Sequence, residues 1–258
     1  MILRSLDPAI RRNKEFISAW EAVERTQQEN HPECWLVTQP SHAALAAELA
    51  AKISSPAFPA LAPEFLKAIA LHDAGWGIPD AQAIVKSRSV QQQRPQSFIA
   101  MPPAIFLTAW EKSIETCQSV SPEGGYAVSR HFYRLAESRL RSVQEKKADR
   151  QKLEAFTRNE ERRQKKLAAR QQRSLDDLEK LTDILQFCDL LSLYLCSGAP
   201  ENVVFPEYLS VTLRITNAAG VCTLDQKIVK SGTEFVLAAL RYPATQEESS
   251  REIRIRIG

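Results

Sequence analysis

The chain has 258 residues, room for one large domain or two small ones, and its 44% hydrophobic and 25% charged shares are those of an ordinary globular protein. A net charge of +3 is too slight to indicate a nucleic-acid partner, and 8 glycines against 14 prolines disfavour a glycine-rich all-β fold. The cysteines at 34, 117, 188, 196 and 222 form no CxxC pair, so neither a zinc knuckle nor a dithiol redox motif is indicated. The first residues lack a basic-then-apolar leader, and no window reaches the ~18 apolar residues of a membrane span. A cytoplasmic, reducing location is expected.

Residues 1–4 and 35–38 read as short strands, separated by a polar, partly helical stretch at 8–28. Leu45, Leu49 and Ile53 recur at helical spacing over 40–53, with Pro40 where a helix start tolerates it. Pro56, Pro59 and Pro63 mark a loop; a second helix is expected at 64–72, with Gly75 as its stop. Residues 77–103 hold four prolines, three consecutive glutamines and few periodic apolar positions. They are expected to form a long loop over the domain face, with at most a helical turn near 80–85. Helices are expected at 104–117 and again from Tyr126, separated by a break at 121–125, Ser-Pro-Glu-Gly-Gly.

From 132 to 173 strong helix formers dominate and apolar anchors are few: Leu135, Leu140, Val143, Leu153, Phe156 and Leu167. Residues 134–180 are read as a solvated helical hairpin or arm, with a surface for a protein partner or self-association as the alternative. Ser174-Leu-Asp-Asp177 is a capping pattern ahead of a strongly apolar helix at 178–196. Beyond Pro200, alternation at 208–216, 227–240 and 253–257 predicts antiparallel strands. The expected fold is mainly α: a helical metal-binding domain over 1–200 with a small antiparallel β subdomain at 201–258 packed on it. The strands at 1–4 and 35–38 are candidate members of that subdomain.

Three of the four histidines, His42, His72 and His131, lie on apolar helix faces. One such imidazole is an ordinary core residue. Three, with Asp73 beside His72, point to metal ligation, because burial favours the neutral, ligating form. Asp73 faces inward with Ile69 and Ala70. Asp189 lies in Ile184-Leu-Gln-Phe-Cys-Asp-Leu-Leu-Ser-Leu193, where nearly every side of the helix is apolar and no Arg or Lys lies within one turn. An ionised carboxylate buried without a partner costs several kcal/mol or more. A cation shared with distant ligands accounts for Asp189 best. His31, beside Pro32 in a polar stretch, is expected at the surface.

The order His42, His72-Asp73, Asp189 resembles the signature of the HD-domain superfamily of metal-dependent phosphohydrolases. Segments 37–43 (Val-Thr-Gln-Pro-Ser-His-Ala), 71–76 (Leu-His-Asp-Ala-Gly-Trp), 129–132 (Ser-Arg-His-Phe) and 185–193 resemble more closely the bacterial domain-of-unknown-function family 3891. The resemblance covers residues 1 to about 200 and implies an HD-domain-like helical bundle. In it His42, His72, Asp73 and Asp189 hold a divalent metal, and His131 serves a second metal or a substrate phosphate. Two-metal relatives have two such histidines where this chain has one. Ala74-Gly75-Trp76 stands where some relatives carry a lysine.

The activity implied is hydrolysis of a phosphorylated small molecule or nucleotide by a metal-activated water, with Asp73 and His131 as catalytic groups. One or two ions of Mn, Fe, Zn, Ni, Co or Mg suit the imidazole–carboxylate set. Arg130, Trp76, Asp80, Gln39 and Tyr126 flank the motifs as candidate substrate contacts. Each also has a plain structural role open to it: surface for Arg130, packing for Trp76, helix capping for Asp80. Two other readings stay open: a non-catalytic metal-stabilised scaffold or partner-binding protein, and an iron-dependent HD-type oxygenase, which generally needs more histidines.

Overall fold

The computed structural model describes residues 1–6, 15–89, 93–218, 221–246 and 248–258. The elements begin with β1 (Ile2–Ser5), β2 (Phe16–Ser18), α1 (Ala19–Gln28), β3 (Cys34–Val37), α2 (Gln39–Lys52), α3 (Pro63–Leu71) and α4 (Gly77–Ser87). Four long helices follow: α5 (Pro103–Val120), α6 (Pro122–Ser142), α7 (Lys147–Ala168) and α8 (Leu175–Ser197). The chain closes with β4 (Asn202–Val204), β5 (Arg214–Ala218), β6 (Val221–Leu224), β7 (Glu234–Tyr242) and β8 (Ser250–Ile257). Residues 8–14 of the expected 8–28 stretch lie outside the described residues.

The most apolar stretch of the sequence becomes the central helix. Ser174 Oγ accepts the Asp177 N–H at 3.2 Å and donates to its carboxylate at 2.8 Å, so the capping pattern starts α8 as its chemistry predicts. α8 is buried along almost all of its length and packs against α1, α2 and α6. The break before α6 is shorter than expected. Ser121 alone is non-helical, its Oγ accepting the Gly124 N–H at 2.9 Å, and both glycines enter the helix. A Cβ at Gly124 would stand 2.4 Å from Ala68 Cβ, so glycine here lets α6 press against α3.

The charged hairpin is folded down and not a projecting arm. Leu153, Phe156 and Leu167 of α7 are buried, and Trp110 of α5 stacks on Phe132 and meets Phe156. Between α6 and α7, Ser129 donates to Glu160 at 2.8 Å and accepts from Gln164 at 3.0 Å, which satisfies a buried polar seam.

The mainly α expectation is overturned by the sheet. The strands form one eight-stranded mixed sheet in the order β1-β3-β7-β8-β6-β5-β4-β2, with β6·β8 and β2·β4 parallel. The fold is therefore α/β, and the sheet takes strands from residues 2–37 as well as from 202–257. The strands expected at 1–4 and 35–38 are β1 and β3 and do join the sheet; β2, only three residues long, went unforeseen. The expected strand at 208–216 is regular only from Arg214. Before it, Tyr208 and Val211 close a two-residue turn on Leu209 and Ser210, both at positive φ.

β1 and β2 are the sheet's two edges, yet α1 follows β2 directly and also packs on β1. The sheet must therefore curl around this helix. Gln27 of α1 blunts the β1 edge, its amide accepting the Leu3 N–H at 2.8 Å and donating to the Leu3 carbonyl at 2.7 Å.

The segment 77–103 is also corrected, since its first part is the helix α4. Pro79 falls in the first turn, where its missing N–H costs nothing. Ala83 and Ile84 then cover Met1, Leu3, Cys34 and Leu36 at the β1–β3 end of the sheet. A single turn at Phe98–Ala100 is the remaining regular structure among its described residues. All five cysteines are buried and unpaired. No helix among the described residues is long and apolar enough to cross a membrane.

Candidate metal centre

Four helices deliver the predicted ligands to one point. His42 lies in the first turns of α2, where Thr38 Oγ1 accepts the Ser41 N–H. His72 caps the C-terminus of α3 and Asp73 follows it; Asp189 comes from mid-α8 and His131 from α6. His42 Nε2 lies 2.8 Å from Asp73 Oδ2, and His72 Nε2 lies 3.1 Å from Asp189 Oδ1. The two crossed distances, His42 to Asp189 and His72 to Asp73, are both 3.9 Å. Donors around one ion at bond lengths of about 2.0–2.2 Å stand roughly 3–4 Å apart, and each of these imidazole–carboxylate distances has about that spacing. One donor atom from each of His42, His72 and Asp189 lies within 4.8 Å of the others. Both imidazoles are fully buried, and the slight exposure falls on Asp73 (6%) and Asp189 (9%), which places the carboxylates on the solvent side.

The electrostatics follow from the protons. His72 Nδ1 donates to the Ile69 carbonyl at 2.8 Å, so a neutral His72 ring turns a bare Nε2 lone pair towards Asp189. Lone pair against carboxylate is unfavourable unless a proton or a cation lies between them. Without a cation it is a proton. Burial opposes the charge on His72, but Asp73 and Asp189 outweigh it and push His72 up to about 9. For Asp189, burial is likewise outweighed, by the His72 hydrogen bond and by the charges of His131, His72 and His42, which hold it at about 2.

His131 differs. Burial drives it down to about 4, so it is neutral. Its Nε2 is 3.7 Å from Asp189 Oδ2, and its Nδ1 is buried with no hydrogen-bond partner among the described residues. The His42, His72 and His131 rings stand edge to face in sequence, with centroids 5.1 and 5.9 Å apart.

The flanking candidates take varied places. Asp80 Oδ2 accepts the Gln39 N–H at 2.7 Å while Oδ1 lies 2.9 Å from the Met1 nitrogen, so Asp80 anchors the start of α2 one turn ahead of His42. Gln39 is buried, and its Oε1 has no partner among the described residues. Trp76 is packed in the core. Tyr126 donates to Glu179 at 2.8 Å, and Arg130 pairs with Glu179 at 3.0 Å. Both line an open cavity of about 240 Å³ with Gln164, Lys165 and Leu175, and no cluster residue reaches it.

His31 is not a surface residue. Its Nε2 donates to the Thr26 carbonyl at 2.7 Å in the last turn of α1, and the ring is buried while meeting a helix end that would otherwise lack a donor. Sequence reasoning also passed over Ser192, whose Oγ is 2.9 Å from His42 Nδ1. The available signal was a hydroxyl three residues after Asp189 in an otherwise apolar helix, since a buried hydroxyl must find partners.

The fold and cluster define a mixed α/β protein with a buried His–Asp centre that could hold a metal ion. Residues 26–216, which include all five cluster residues, match the family described as a protein of unknown function (DUF3891), and the chain belongs to that family. No curated protein and no solved structure matches the chain.

Proposed function

We propose that the chain is a metal-dependent phosphohydrolase of the HD-domain type, acting on a phosphorylated small molecule or nucleotide. The observation that carries this reading is the meeting of two imidazole Nε2 atoms with two carboxylates at imidazole–carboxylate distances of 2.8–3.9 Å, at a point where the helices are otherwise apolar. The donor set fits a divalent ion: nitrogen and oxygen only, with the His72 lone pair committed to the centre by the Ile69 carbonyl. His42, His72, Asp73 and Asp189 would hold it. Such an ion supplies a Lewis acid for a phosphoryl oxygen and a bound water of lowered pKa.

The chain's own groups divide the remaining work. Asp73 and Asp189, on the solvent side, orient the attacking water. Neutral His131 has a ring nitrogen without a hydrogen-bond partner among the described residues and can exchange a proton or hydrogen bond with the substrate. The buried imidazoles keep bulk water from the inner side of the centre. Mn, Fe, Zn, Ni, Co and Mg all suit these donors.

The test is phosphate release from a panel of phosphomonoesters and nucleotides, using metal-stripped protein and the same protein reloaded with each ion. Release that requires metal and disappears in His72→Ala is expected. Stoichiometric metal binding with no release from any member would overturn the hydrolase reading and favour a metal-stabilised scaffold.

A further inference from the structure

We propose that Ser192 is the positioning residue that decides which nitrogen of His42 faces the centre. Ser192 and His42 are both fully buried, so neither can turn to water for a partner. The Ser192 hydroxyl donates to the Asp189 carbonyl, one turn back on α8, at 2.8 Å. A hydroxyl has one proton, and a carbonyl can only accept. Towards His42 Nδ1, 2.9 Å away, Ser192 therefore presents a lone pair, and Nδ1 must carry the proton and donate it. With Nδ1 so occupied, Nε2, the atom 2.8 Å from Asp73 and 3.9 Å from Asp189, is the nitrogen left for the centre, where a cation or, without one, a proton lies between it and the carboxylate.

His72 reaches the same tautomer by a different route, through the Ile69 backbone carbonyl. Of the two imidazoles, only His42 is oriented by a side chain, and only there can one substitution remove the control. The same hydroxyl ties α2 to the turn of α8 that carries Asp189, so it fixes one ligand against another. The effect on metal affinity rests on the cation reading above. The placement of the proton does not.

The experiment uses the full chain as wild type, Ser192→Ala and Ser192→Thr. Long-range ¹H–¹⁵N NMR of the histidine rings reads the His42 nitrogens in metal-free protein, and zinc titration reads affinity. The wild type is expected to show a slowly exchanging proton on His42 Nδ1. Ser192→Ala loses that protection and binds zinc roughly 10–100-fold more weakly, with the His72 signals unchanged, and Ser192→Thr restores both. A bare His42 Nδ1 in the wild type would overturn the proposal, and that reading needs no variant to fold. So would Ser192→Ala binding zinc as the wild type does. If the wild type takes up no zinc, the cation reading fails, while the Nδ1 proton still decides the role of Ser192.

Discussion

His72 Nε2 and Asp189 Oδ1 meet at 3.1 Å across 117 residues of chain, and with the Ile69 carbonyl holding the other side of the ring, the one site at Nε2 could take a proton or a cation but not both. Uptake of a divalent ion must expel that proton. Because His72 is raised to about 9 without metal, binding near pH 7.5 is expected to release about one proton. Affinity should rise with pH and level off above about 9. Calorimetry in buffers of different ionisation heat checks this; a binding heat independent of buffer would contradict it.

The same shifts set the pH range of the metal-free fold. His72 is raised above its ordinary value, so its contribution is complete below about 6.5 and is lost as pH climbs towards about 9. Asp189 is depressed, so its contribution is complete above about 3.8 and is lost as pH falls towards about 2. The two describe one interaction and do not add. On each limb the expected loss is on the order of 2 kcal/mol. Denaturant melts of stripped protein between pH 4 and 10 should show the alkaline limb, and saturating metal should remove it.

Gly75 lies two residues from Asp73, and a Cβ there would stand 2.0 Å from the Ala109 carbonyl oxygen of α5. Its N–H donates to Ser113 Oγ at 3.0 Å, so the Ala74–Trp76 turn is held tight against that helix. Gly75→Ala is expected to cost about 1–3 kcal/mol and to weaken metal binding by moving Asp73. Denaturant midpoints and metal content of the purified variant test both; wild-type values in each would show that the turn yields freely.

The site was more legible than the fold, for a physical reason. A charged or titratable group in an apolar helix is conspicuous because burial without a partner is costly, and that singled out His42, His72, Asp73 and Asp189 from their neighbours alone. Ser192 left only a weak signal, since a serine in a helix can satisfy its hydroxyl on its own backbone. The strand at 250–257 shows its alternation because one face meets solvent; β3, buried throughout, shows none, yet a strand was expected at 35–38, and what stayed hidden was that all the strands join in one sheet. The prolines around α4 read as loop markers because a sequence does not say that Pro79 falls in a first turn. His31 looked superficial because its partner, a helix-end carbonyl, leaves no trace in side-chain chemistry.

His131 separates binding from turnover. Its Nε2 lies 3.7 Å from Asp189, its Nδ1 has no hydrogen-bond partner among the described residues, and the proposed reading gives it a part in turnover and not in holding the ion. His131→Gln is expected to leave metal stoichiometry unchanged and to lower phosphate release by roughly 10²–10⁴-fold. Loss of metal in this variant would make His131 a ligand instead.

The most direct test of the account is the metal content of protein purified without chelator, wild type beside His72→Ala, determined by elemental analysis after equilibration with micromolar zinc or manganese. The account predicts about one ion per chain in the wild type and little in the variant. A wild type free of metal, or a variant that retains as much, would contradict it and leave the His–Asp cluster as a self-contained buried ion pair.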